Sequence, residues 1–196
     1  MFPDTHLVSH SISARGPFFV LRIPLDEVGA RQFLLAPNRT LLRRFFLSIL
    51  TKTYMDTPFV LEQLYEAPLA QVWHALTEQD QLRAWYFPQL QEFKPVVGFE
   101  FKFTDEGSPY QKEWRVTQLV AGRKLAHSWM YKGYPGSSEV TFELVAEGNK
   151  TRLVLTHTGL ASFPNDPHFA RRRFENGWQQ ILGSNLKEQL KLPSLD

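Results

Sequence analysis

The sequence predicts an α+β domain in which a curved antiparallel sheet wraps around one long C-terminal helix, with two short helices after the first strand. Three observations carry this. Apolar and polar residues alternate with period two in successive segments between residues 99 and 158. The joints between those segments are short turns, whereas parallel neighbours need a crossover of a dozen or more residues. Residues 167–191 then carry apolar positions at helical spacing, long enough to cross a whole sheet.

The elements follow in order. Phe59 to Glu66 reads as a strand, stopped by Ala67-Pro68, with Pro68 suited to a first helical position. Leu69, Val72, Trp73 and Leu76 fall on one helical face. Thr77-x-x-Asp80 has the form of a capping box that opens a second helix toward Trp85, which Pro88 ends. Phe99, Phe101 and Phe103 alternate with Glu100, Lys102 and Thr104. Tyr110 to Leu119 puts Trp114 and Val116 on one face. Leu125, His127, Trp129 and Tyr131 are in phase, as are Val140, Phe142 and Leu144, and then Leu153, Leu155 and His157. Turn residues sit at Ala121-Gly122-Arg123, Gly133-Tyr134-Pro135-Gly136 and Glu147-Gly148-Asn149. This alternation predicts one wet face and one covered face.

The cover is the last helix. Asp166-Pro167 predicts an N-cap and first helical residue, and Ala170, Phe174, Trp178, Ile181 or Leu182, Leu186 and Leu190 form the buried stripe. Over residues 167–191 such a helix spans roughly 37 Å. Gly177 and Gly183 each cost about 1 kcal/mol relative to Ala in a helix, a cost accepted where the helix approaches the sheet or where space must stay open. Arg171-Arg172-Arg173 reads as the solvated side of its first turns.

Residues 55–196 thus form the domain, and residues 1–54 stand apart as an N-terminal extension. Apolar residues there come in clumps without period, and Arg39 to Leu50 reads as a short basic amphipathic helix. Four readings stay open: a true start at Met55, a poorly ordered extension, an Arg-rich transit peptide, and a membrane-surface helix. Residues 1–54 hold seven Lys/Arg and three Asp/Glu, a balance of +4, which leaves −2 for the rest of a chain whose net charge is +2. The domain therefore has no electrostatic reason to seek nucleic acid. Cysteine is absent, which excludes disulfides and thiolate metal sites and fits a reducing compartment. No apolar run is long enough to span a membrane, and the start lacks the pattern of a secretory signal.

The order strand, two short helices, antiparallel meander, long helix resembles the helix-grip fold of the START-like (SRPBCC) superfamily. Within it the chain looks like the branch named for the activator of the heat-shock protein 90 ATPase. Ala70 to Thr77 with Leu82 to Pro88 is similar to that family's first helical segment, Thr151 to Leu160 to its last strand, and Gly177-Trp178 with Leu182, Leu186 and Leu190 to its C-terminal helix. The similarity covers about residues 56–191. It implies a cytoplasmic protein, a link to the stress response, and no shared catalytic set. Residues 1–54 do not resemble the chaperone-binding domain of the eukaryotic activators.

A helix gripped by a curved sheet leaves a cavity between them. The residues predicted to line it are Trp85, Phe101, Trp114, Trp129, Phe142, His157, Phe174 and Trp178. His157 shares its face with Leu153 and Leu155, so it points inward, either as an acid–base group or as a neutral imidazole satisfied by neighbours. No metal site, cofactor motif or nucleophile elbow is present, and no catalytic residue is assigned. The leading expectation is non-enzymatic binding of a small hydrophobic or amphipathic ligand, with affinity from apolar burial and orientation from a few polar groups. Two alternatives stand beside it: an interaction protein acting on a chaperone or other protein partner, and a cyclase- or hydrolase-like enzyme using the same cavity.

Overall fold

Residues 57–191 are described throughout in a computed structural model, together with 19–20, 35–36, 43–44 and 46–49. Chain contacts divide it into two units, Met1–Thr51 and Lys52–Asp196. In the first, strand β1 (Phe19–Val20) pairs antiparallel with β2 (Leu35–Ala36), and residues 43–44 and 46–49 are helical. The remaining expectations for residues 1–54 lie outside the described residues.

The second unit has the helix-grip fold. Strand β3 (Phe59–Tyr65) leads into helix α1 (Leu69–Thr77) and helix α2 (Gln79–Trp85). Then come β4 (Leu90–Glu92), β5 (Lys102–Phe103), β6 (Val116–Val120), β7 (Lys124–Trp129), β8 (Ser138–Glu147) and β9 (Lys150–Thr158). The main sheet runs β3-β9-β8-β7-β6, with every pairing antiparallel. Its meander is β6 to β9, and the first strand closes against the last, Leu61 opposite Leu155. Alternation sorts the faces: Val140, Phe142, Leu144, Leu153 and Leu155 are buried, while Val145 and Val154 point the other way.

The segment Phe99–Phe103 departs from the predicted meander strand. Its backbone is shared between two partners. Phe101 N–H donates to Trp114 C=O (2.9 Å) and Glu100 bridges Arg115, but Lys102–Phe103 pairs with the short β4, which the sequence reading did not contain. The predicted capping box is also absent. Glu78 occupies the N-cap of α2 without a side-chain bond, because the Thr77 hydroxyl donates back to Trp73 C=O (2.8 Å) in its own helix. Pro68 sits at the N-cap of α1, one residue before the predicted place.

The C-terminal helix starts later than predicted. Asp166 does cap, accepting from His168 N–H (2.7 Å), but over a single 3₁₀ turn, Pro167–Phe169. Ala170 then turns extended (ψ 129°), and helix α3 (Arg171–Gln180) begins beyond it. Ala170 is consequently exposed and outside the stripe. Arg171 is buried, contrary to the solvated side expected, because it donates to Glu175 (2.7 Å) and to the carbonyls of Thr57 and Pro58. Phe174, Trp178, Leu182 and Leu186 form the buried stripe. A π-helical segment, Ile181–Leu186, links α3 to a final turn, α4 (Lys187–Gln189). Three side-chain bonds surround it: Tyr65 O–H to Leu182 C=O (2.9 Å), Asn185 Nδ2 to Trp85 C=O (3.2 Å) and Gln71 Nε2 to Leu190 C=O (3.0 Å). The helix is thereby fastened to β3, α1 and α2. Among the described residues no helix is long and apolar enough to cross a membrane.

Candidate functional site

The interior between sheet and helix is built from rings. Trp85 stacks on Tyr86 (centroids 5.0 Å), and Tyr86 stacks on Trp178 (5.8 Å). Trp114 and Trp129 lie 4.2 Å apart, and Phe142 meets Trp178 edge-on at 5.9 Å. Phe101 packs against Trp114 and His127 at 5.8 and 5.2 Å. Offset and edge-on geometries of this kind are those that ring quadrupoles favour.

Two histidines are embedded among them, both fully paired. Trp178 Nε1–H donates to His157 Nδ1 (3.0 Å), which puts the His157 proton on Nε2, facing Ser138 Oγ (2.9 Å). Ser138 Oγ–H in turn donates to Trp129 C=O (3.0 Å). His127 takes the opposite tautomer: Nδ1–H donates to Ser128 C=O (2.8 Å) and Nε2 accepts from the buried Tyr86 hydroxyl (3.0 Å). Burial pushes His157 down to about 3, with smaller contributions from His127 and Arg171, and pushes His127 down to about 4. Burial also raises the Tyr86 phenol. Both imidazoles are neutral structural groups with no lone pair left for a ligand.

Open space lies to one side of this core, along α3. It is a partly open pocket of about 300 Å³. Trp129, Phe174 and Trp178 line it, and these are three of the eight residues predicted from the sequence. Trp85, Phe101, Trp114, Phe142 and His157 are packed in the core and do not line it. The remaining wall comes from residues the sequence reading did not select: Phe87 after α2, Ser108, Tyr110 and Lys112 from the segment before β6, Tyr131 after β7, and His168, Arg173, Gly177 and Ile181 along the C-terminal helix and its approach. Besides Gly177, whose cost in a helix already pointed to open space, several of these carried a readable signal. Tyr131 continues the inward phase of Leu125, His127 and Trp129, and Lys112 precedes Trp114 and Val116 by the same period of two. Tyr110 shares that phase, whereas Ser108 and His168 lie in irregular chain with no period to expose them.

The wall is aromatic with a cationic rim. His168 lies flat on Tyr110 (centroids 3.3 Å, planes 3° apart), and Tyr110 stacks on Tyr134 at 5.3 Å. Lys112 Nζ sits 4.8 Å from the centre of the Phe87 ring and 5.2 Å from that of Phe103. Desolvation lowers the Lys112 ammonium, and Glu106 opposes that shift. His168 is lowered by desolvation and then by Arg173, against Asp166. Among the described residues no group of His, Asp or Glu is placed to hold a metal ion.

A family model described as Activator of Hsp90 ATPase homolog 1-like protein matches residues 66–191. Among solved structures, protein MLL2253 from Mesorhizobium loti is 23% identical, covering 69% of this chain and 97% of its own, with a TM-score of 0.56. An HSP90 activator from Plasmodium falciparum, PFC0360w, gives the same identity, coverage and score. Protein CV1439 from Chromobacterium violaceum is 22% identical over 69% of this chain and 98% of its own, at 0.56. Among curated proteins none matches. At these identities the structural likenesses bear on the fold alone.

Proposed function

This chain belongs to the family of activator of Hsp90 ATPase homolog 1-like proteins, and from that premise we propose that its helix-grip domain binds a small amphipathic ligand with an aromatic or otherwise flat apolar body. The observation that carries this reading is the pocket of about 300 Å³ walled by Phe87, Tyr110, Trp129, Tyr131, Phe174 and Trp178. That volume is at the lower end of small-molecule sites. The core beneath it is closed and its histidines are satisfied, so specific affinity in this domain is sought at the pocket and not deeper. The sequestered His127 and His157 also favour a binding protein over an enzyme working from the core. Thermal shift against lipids and small aromatic metabolites, with native mass spectrometry on the purified protein, tests the reading. A ligand that raises the melting temperature in a saturable way, and loses that effect in Gly177→Phe, supports it. No ligand-dependent stabilisation from either class defeats it.

A second reading follows from the family itself, action on a chaperone ATPase. The Plasmodium falciparum protein of this fold is described as an HSP90 activator. Val60 and Leu64 on the edge strand β3 are exposed, as apolar contacts for a protein partner would be. Stimulation of Hsp90 ATPase turnover by the whole chain, reduced by Val60→Glu or Leu64→Glu and untouched by Gly177→Phe, separates this reading from the first.

A further inference from the structure

We propose that the ligand of this pocket is an aromatic carboxylate of about one or two rings, with its carboxylate held by Lys112 and Arg173. The inference rests on the pocket being a ligand site and adds the charge and size of what enters it. The lining contains two cations and no carboxylate, while its other polar groups are hydroxyls, two indole N–H groups and one imidazole. Most cations of the domain have a carboxylate partner, yet among the described residues neither Lys112 nor Arg173 forms an ion pair.

The positions of the two cations are informative. Lys112 is half-buried, and its ammonium rests over Phe87 and Phe103 at 4.8 and 5.2 Å instead of extending into water. Its desolvation is a cost that a bound anion would relieve. The nearby carboxylate of Glu106 lies outside the pocket lining and accepts from Gln89 Nε2 at 3.0 Å. Arg173 acts electrostatically on Tyr110, Tyr131 and His168, all of them pocket residues, so its charge is felt inside the site. Asp166, the other carboxylate on this side, accepts from the His168 backbone, and its charge acts on Tyr110 and His168 in the opposite sense to that of Arg173.

Trp129, 6% exposed, also lines the pocket, and its Nε1–H acts as a donor toward the Tyr131 hydroxyl, a second pocket residue. The site thus sets two cations in a wall that carries no negative charge, the complement of a carboxylate. A volume of about 300 Å³ suits a compact one- or two-ring acid.

Titration of the full chain at low salt with 1-naphthoate and its neutral isostere 1-naphthamide tests this, read by tryptophan fluorescence and calorimetry. Naphthoate is expected to bind about ten-fold tighter, the sum of two modest charge contacts. The preference should fall to within about two-fold in Lys112→Met with Arg173→Met combined, with each single variant between. Arg173 is exposed, so its variant keeps the test valid even where Lys112→Met melts early. Equal binding of acid and amide overturns the charge assignment and leaves the pocket reading standing. A preference that survives the double variant overturns it too, since the anion is then read elsewhere. Binding of neither probe overturns this inference, and the pocket reading falls with it where lipids and small aromatic metabolites also give no thermal stabilisation.

Discussion

His157 and His127 are neutral for the same reason, and that reason is measurable. Each sits where protonation would break a bond in which its ring nitrogen is the acceptor: from Trp178 Nε1–H for His157 and from Tyr86 O–H for His127. Their folded pKa values, about 3 and about 4, lie below the ordinary histidine value of 6.5. A depressed pKa means that the unfolded chain binds protons the folded one refuses. The stability these groups contribute is therefore complete above pH 6.5 and drains away as pH falls from there toward 4. Each histidine should contribute a slope of about 1.4 kcal/mol per pH unit in that window. Urea unfolding of the parent and of His157→Asn between pH 4.5 and 6 checks this. The variant is less stable at neutral pH and its dependence on pH is shallower by about that amount. Ser138→Ala should cost about 1–3 kcal/mol at pH 7, because it strips the acceptor from a buried His157 Nε2–H and the donor from Trp129 C=O. Chemical denaturation measures it.

Elements are decided by where backbone groups find partners, and this explains which of them were legible in the sequence. Strands β7 to β9 pair over long registers with one face buried, so period two shows them plainly. The segment Phe99–Phe103 keeps that period but divides its backbone between β4 and the approach to β6, a choice no local pattern records. Arg171 looked solvated because Glu175 is an ordinary i+4 partner, whereas the carbonyls of Thr57 and Pro58 that bury it lie far away in sequence. The same limit hides much of the pocket, whose wall joins irregular segments and strand ends to one side of α3. The π segment is a further case: its widened turn coincides with the Tyr65 hydroxyl bonded to Leu182 C=O. Tyr65→Phe is expected to lose about 1 kcal/mol and to raise hydrogen exchange in residues 181–186, a local effect that Phe elsewhere on β3 would not give. The glycine that ends β9 has a strict geometric reason. Gly159 has φ 78°, and a Cβ there would stand 2.8 Å from Ser137 C=O and 3.1 Å from Ser138 Cα. Gly159→Ala should cost about 2 kcal/mol or more, read as a lowered melting temperature.

At the scale of the molecule, the sheet, the helix and the pocket are linked by one glycine. Gly177 lies inside α3, where Ala would be preferred by about 1 kcal/mol, and its backbone needs no unusual conformation. Of the two reasons the sequence allows for a helical glycine, close approach fails, since a Cβ at Gly177 would meet nothing within 4 Å. Gly183, equally free of neighbours, does not line the pocket, whereas Gly177 does. The pair thus separates helix propensity from pocket volume. Gly183→Ala should stabilise the domain by up to about 1 kcal/mol and leave ligand binding unchanged. Gly177→Ala should stabilise it by a similar amount while weakening 1-naphthoate binding, and Gly177→Phe should abolish binding. Differential scanning calorimetry and titration of the same three variants measure both quantities. If Gly177→Ala gains stability with no loss of affinity, then the space beside this helix is not the ligand's, and the glycine must be explained by something other than the pocket.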